Sequence, residues 1–363
     1  MREKTRQANI ELLRSIAMIM VVVLHYLIKG NVAVSLADDF SVMNVIFWFI
    51  KALCIVAVNV YVLISGYFLL EAKWKISRLV KLWFQTMFYS IGVPLACLFL
   101  GIGEVNQWGR YDWINVLFPV QMEHYWFITA YIILYLMVPV LGQGVKHLTQ
   151  RQHKLVIVGL LLVFSVPKTI LPIGIPTDRY GYDFGWFVCL FMIAAYLRLY
   201  GMSVLEQKRT SLVVYFAAVC GICGVGVICA MLSCKGLPFA YMMDMAYSYN
   251  HLLVLIGAVA FFYIFKEIRI PEGAISNIIC KVSKYTLGVY LLHENIAVRS
   301  RWQYWAGVEG LREGVRIIPH MLITIAAVFV AGVVVDFVRE CIFKVVIRVW
   351  KKVFAGKTAK RKN

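Results

Sequence analysis

Within ELLRSIAMIMVVVLHY (11–26), Glu11, Arg14 and His25 interrupt an otherwise apolar run. A guanidinium is a permanent cation that binds anions, and an imidazole takes and returns protons near neutral pH because its unperturbed pKa is about 6.5. Eleven residues turn a helix by three turns plus about 20°, so Arg14 and His25 share one face, roughly 16 Å apart along the axis. Glu11, three residues before Arg14, falls on that face and can pair with it. The stripe reads Glu11, Arg14, Met18, Val22 or Val21, His25. An ionisable group inside a membrane span costs on the order of 2.5 kcal/mol or more, and so faces the bundle interior or a wet cavity. Taken singly, Arg14 is explained by snorkelling to headgroups and His25 by a hydrogen-bonded core position. Both on one face, with Glu11 behind, point to a polar track entering a helix bundle.

The elements that carry this track follow from composition. The 363 residues are 61% hydrophobic and 15% charged, against about 45–50% and about 25% in soluble domains, which makes this a membrane protein. Runs long enough to cross a hydrocarbon core of roughly 30 Å lie near 10–29, 43–70, 79–102, 124–142, 154–172, 183–201, 211–232, 247–265, 285–298 and 317–338. The expectation is an all-α fold, a polytopic integral membrane helical bundle of about ten transmembrane helices over 1–340, with a basic tail over 341–363. The ninth run is short and carries Glu294. The first run is longer than the apolar region of a signal peptide and has no A-x-A-like cleavage site after it.

Placing the N-terminus in the cytoplasm puts the basic stretches around 71–81, 143–154, 198–210, 266–284 and 339–363 on the same side, a Lys and Arg bias of roughly three to one. Both termini are then cytoplasmic and the location is the inner or plasma membrane. The net charge of +18 sits in short loops and a tail facing anionic lipid, which argues for membrane anchoring and against a nucleic-acid partner. Cys220 and Cys223 form a C-x-x-C inside an apolar run with no second pair; they and the other cysteines read as small hydrophobes rather than a redox or metal site. The histidines show no H-x-x-x-H or carboxylate partner pattern, so no metal is expected.

At this point the chain resembles the membrane acyltransferase-3 family of bacterial O-acyltransferases. Arg14 to His25 fits that family's spacing of an arginine or lysine, ten residues, then a histidine. VNVYVLISGYFLL (58–70) is similar to its F-F-x-x-S-G-F stretch through Ser65-Gly66-Tyr67. KWKISRLVK resembles its R-x-x-R element as Arg78-x-x-Lys81, which keeps the charge and loses the second guanidinium fork. HYWFITAYIILYLMVPVL (124–141) is similar to its fourth helix through Trp126, Phe127, Tyr131, Tyr135 and Pro139, and YTLGVYLLH (285–293) to its S-Y-x-x-Y-x-x-H helix, ending at His293. The resemblance covers about 10–340.

It implies transfer of an acyl group, commonly acetyl from acetyl-CoA, to a hydroxyl of a cell-surface glycan or lipid-linked sugar. Arg14, Lys73, Lys75, Arg78 and Lys81 would bind donor phosphates at a cytoplasmic rim. His25 would act as general base or be acylated itself as a relay. Ser65 reads as a packing or polar lining residue, since no G-x-S-x-G is present. His124 and His293 fall near the outer side and could shape an acceptor site. Trp126, Tyr131 and Tyr290 suit sugar stacking or, as the commoner case, interfacial belts. Asp112, Asp178 and Arg179 in outer loops are solvated or touch a glycan. With no soluble domain attached, transfer finishes in the membrane unit or passes to a separate periplasmic or extracellular partner. The competing expectation is a transporter or flippase for a polar or glycan precursor, using the same intramembrane polar track.

Overall fold

A computed structural model describes residues 7–171, 173–175, 179–311 and 316–360, and among the described residues the backbone is helix and connecting turn, without strand. Asp178 lies outside the described residues. The helices that frame the molecule are α1 (Ala8–Lys29), α2 (Val42–Cys54), α3 (Ala57–Leu69), α4 (Ile76–Leu100), α5 (Trp126–His147), α6 (Gln150–Phe164), α7 (Phe184–Tyr200), α8 (Lys208–Cys234), α9 (Leu252–Lys266), α10 (Ala274–Ser283), α11 (Thr286–His293) and α12 (Ile317–Lys360).

Local chemistry sets several boundaries. Ser41 Oγ accepts from Asn44 N at 3.2 Å and caps α2, and the Asp183 carboxylate accepts from Trp186 N at 3.0 Å to cap α7. Thr149 and Gln152 form a reciprocal capping box at the start of α6. Gly101 closes α4 in the left-handed conformation, φ +64°.

Among the described residues, six helical stretches are long and apolar enough to cross a membrane: 8–29, 42–69, 76–100, 126–147, 208–234 and 317–351. Each expected run falls on helix, but the others stop short. The run near 154–172 breaks at Ser165, whose φ of −120° and ψ of −51° leave the helix just before Pro167. Helices α7 and α9 have 17 and 15 residues. The run near 285–298 yields only the eight residues of α11, ending at His293 just before Glu294. At the other extreme, α12 runs on through the expected boundary at 340 as continuous helix to Lys360.

Helix α1 is the hub, packing against α2, α3, α9, α10, α11 and α12. The largest enclosed side chains include Trp186, Phe187 and Phe191 on α7 and Phe262 and Tyr263 on α9. Asn59, fully buried on α3, donates to Tyr249 O at 2.7 Å and accepts from Trp186 Nε1 at 3.0 Å, locking α3 to α7 and to the turn before α9. The short α11 lies tight on α12: a Cβ on Gly288 would sit 2.3 Å from Asp336 Cβ, and one on Gly332 would sit 2.4 Å from Val289 Cα. Only glycine permits that approach, and it fixes the helix that carries His293. Asp336, fully buried on α12, accepts from Gln85 Nε2 at 2.9 Å, Tyr89 OH at 3.1 Å and Arg339 Nε at 2.7 Å, joining α12 to α4.

Candidate active site

A cavity of about 750 Å³ runs beside α1 and is lined at one end by Arg14, Arg78, Lys81, Ser283 and Lys284, and toward the other by His25, Lys29, Glu294 and Arg299. The face of α1 that borders it passes Arg14, Met18, Val21, His25 and Lys29, so Val21 lies on the track and Val22 is enclosed in the core.

At the Arg14 end, Glu11 is buried and accepts from Arg14 Nη1 at 3.0 and 2.8 Å and from Ser283 Oγ at 2.6 Å. Tyr61 OH donates to Arg14 O at 2.6 Å. The guanidinium is therefore held from behind, with its side chain on the cavity wall. Arg78 and Lys81 join it from α4, and Lys284, paired with Glu340 at 2.6 Å, joins it from the turn after α10. Lys75 does not reach the wall. It is the exposed residue before α4, and its backbone N and O exchange hydrogen bonds with Tyr135 OH at 3.2 and 3.1 Å. Lys73 is likewise exposed and off the cavity.

At the other end, His25 Nδ1 lies 2.9 Å from His293 Nε2 and 3.2 Å from Glu294 Oε1, and the ammonium of Lys29 pairs with that same Glu294 oxygen. The partners assign the protons. His293 Nδ1 faces the Val289 carbonyl at 2.5 Å, and a carbonyl only accepts, so Nδ1 carries the hydrogen and His293 Nε2 carries the lone pair. His25 Nδ1–H must then be the donor toward His293 and Glu294. Its other nitrogen, Nε2, has no hydrogen-bond partner among the described residues and holds a free lone pair on a residue that lines the cavity. An imidazole oriented through Nδ1 by a carboxylate, with Nε2 facing a reaction space, is the arrangement a general base requires.

The profile of the acyltransferase-3 family, described as an acyltransferase domain, matches residues 7–338. The chain belongs to the acyltransferase-3 family. A search of curated proteins and one of solved structures gave no match. For this acyltransferase-3 chain, the family and the membrane-type helices together describe a multi-pass membrane acyltransferase.

Most residues singled out in the acyltransferase-3 motifs converge. Arg14, His25, Ser65, Arg78, Lys81, Trp126 and Tyr290 all line the one cavity, while Glu11 and His293 stand directly behind Arg14 and His25. Of the two expectations for Trp126, Tyr131 and Tyr290, the cavity wall is where the structure places them, rather than a lipid-facing belt. His124 is a buried structural group: Ile296 N donates to its Nε2 at 3.1 Å, so its Nδ1–H points to Ser90 Oγ at 3.2 Å, which in turn donates to Val116 O. Asp112 accepts from Gly109 N at 2.9 Å and Arg179 pairs with Glu123 at 3.6 Å. The cysteines are free, and Cys220, Cys234 and Cys341 are exposed rather than buried.

The sequence left out Lys29, Ser283, Lys284 and Arg299. Lys29 was within reach of the helical spacing, being four residues after His25. His25, His293 and Glu294 also bring three donor atoms within 4.8 Å of one another, a grouping that could hold a metal ion. Lys29 competes for that role, since its ammonium already supplies positive charge at the carboxylate.

Proposed function

We propose that this acyltransferase moves an acyl group, acetyl in the simplest case, from cytosolic acyl-CoA to a hydroxyl of a cell-surface glycan or lipid-linked sugar at the inner or plasma membrane. The single observation that carries the reading is His25, held through Nδ1 by His293 and Glu294, on a cavity whose far end gathers Arg14, Arg78 and Lys81. In this reading the cationic end lies at the cytoplasmic side and binds the donor's phosphates by charge-assisted hydrogen bonds. The flexible arm of the donor follows α1 and brings the thioester to His25.

His25 Nε2 takes the proton of the acceptor hydroxyl as its oxygen attacks the thioester carbonyl carbon. The resulting imidazolium is stabilised by Glu294, with the carboxylate kept in place by Lys29. As the tetrahedral centre collapses, the C–S bond breaks, and the departing thiolate takes the proton back from Nε2. The products are an ester and free coenzyme A, and His25 returns to its starting state. A histidine with its lone pair free and a carboxylate behind it favours this chemistry over transport, which needs no oriented base.

The test is purified protein or membranes incubated with radiolabelled acetyl-CoA, for wild type and His25→Ala. The reading expects label transfer or hydrolysis to be lost in the variant; equal rates would refute it. Comparing O-acetylation of surface glycans in cells with and without the gene identifies the acceptor.

A further inference from the structure

The part of the cavity around Lys29 holds features that the transfer step does not use. Trp126, Tyr182 and Tyr249 line the wall and cluster tightly, with ring centroids 4.5 Å apart for Trp126–Tyr182, 4.9 Å for Tyr182–Tyr249 and 5.8 Å for Trp126–Tyr249. The first and last of these rings are nearly parallel, at 22°. They offer an apolar surface with polar tips, which suits the carbon face of a sugar ring.

The charges nearby are unbalanced. Among the described residues the cavity wall carries one carboxylate, Glu294, and that group is already committed to Lys29 and His25. Arg14 is neutralised by Glu11 and Lys284 by Glu340. Arg299 lines the same wall and has no ion pair among the described residues, whereas Arg301, two positions on, pairs with Glu104. Arg299 is exposed on that wall, the one carboxylate there is taken by Lys29 and His25, and a planar guanidinium fork matches a carboxylate or phosphate. A neutral sugar would accept from that fork through its hydroxyls but leave the charge unpaired.

We propose that the acceptor is an anionic saccharide, seated with its ring against Trp126, Tyr182 and Tyr249 and its carboxylate or phosphate on Arg299. This rests on the acyl-transfer reading and adds the acceptor's charge to it. Arg299 is a specificity residue at the acceptor end, distinct from the Arg14, Arg78 and Lys81 group at the donor end.

The test uses the full chain in nanodiscs of neutral phospholipid and titration calorimetry with glucuronic acid, glucose 1-phosphate and glucose as probes. Both anions, or one of them, should bind at least about tenfold more tightly than glucose, the scale of one charge-assisted hydrogen bond. Arg299→Gln should remove that preference, Arg299→Lys should keep part of it, and Arg78→Gln should leave it intact. A tighter glucuronate marks a uronate-type glycan, and a tighter sugar phosphate marks a phosphoryl-linked one. Equal binding of glucose, no sugar binding, or a preference that survives R299Q but falls in R78Q would overturn the proposal. Coenzyme A titrated into the same samples keeps the two readings apart. Unchanged coenzyme A binding by R299Q shows that the variant is folded. Absent coenzyme A binding with the anion preference intact would refute the donor site and leave the acceptor site standing.

Discussion

Replacing Glu294 by Gln tests how much of the chemistry depends on the carboxylate behind His25. Gln keeps the volume and a carbonyl oxygen that accepts from His25 Nδ1–H, so the tautomer is retained and only the charge is lost. Glu294 Oε1 lies 3.2 Å from His25 Nδ1. When His25 becomes imidazolium, attraction over that distance is about 5 kcal/mol at an effective dielectric of about 20. Lys29 repels the imidazolium in both proteins, so it cancels from the comparison and the loss remains about 5 kcal/mol at that dielectric. This corresponds to a fall in turnover of roughly 10³–10⁴-fold. The assay is consumption of labelled acyl-CoA at saturating donor, with coenzyme A binding measured in the same preparation. The expected result is unchanged binding and slow turnover. Turnover by E294Q within about threefold of wild type, with binding unchanged, would show that the carboxylate does not support a developing imidazolium.

Other outcomes follow from the packing around the site. Gly332→Val drives a Cβ to within 2.4 Å of Val289 Cα, which should cost about 1–3 kcal/mol, lower the melting temperature in detergent and displace the helix that carries His293. Asn59→Leu strands Trp186 Nε1 and the Tyr249 carbonyl; thermal unfolding should show a loss of about 2 kcal/mol or more, since each orphaned buried group costs about 1–3 kcal/mol. Ser283→Ala removes the 2.6 Å bond to Glu11 and should raise the donor KM by roughly threefold to tenfold with kcat unchanged, because it loosens Arg14 alone. Activity should fall as pH is lowered, because a protonated Nε2 cannot take the acceptor's proton; a rate that rises toward acid would exclude His25 as base.

Much of this architecture was legible because it lies on single helices. Arg14 and His25 share α1, so 3.6 residues per turn places both on one wall without any tertiary information. Lys29 was equally legible, as the next residue up that face. Glu294 stood out as a costly charge, but its partner His25 lies 269 positions earlier by numbering (294 − 25), and no local rule joins the two. Ser283 is the last residue of α10 and Lys284 follows it, where periodicity ends and only the fold brings them to Arg14. For Trp126 and Tyr290 sequence depth fits a belt and a cavity wall equally well; the rotation of α5 and α11, set by Gly288 and Gly332 and by the α7 contact, decides between them. The spans near 154–172 and 285–298 were overdrawn for a related reason. Hydropathy runs on through Ser165 and through Glu294, while the backbone turns there.

The central claim is that His25 acts on the acyl group rather than merely holding the bundle together. A single-turnover measurement with labelled acyl-CoA and excess protein, wild type against His25→Gln, tests it most directly when coenzyme A binding is read on the same samples. The account predicts binding unchanged and a transfer rate lower by roughly 10²–10⁴-fold, the scale of general-base catalysis. A variant that transfers at the wild-type rate, or one whose loss is matched by lost donor binding, would contradict it.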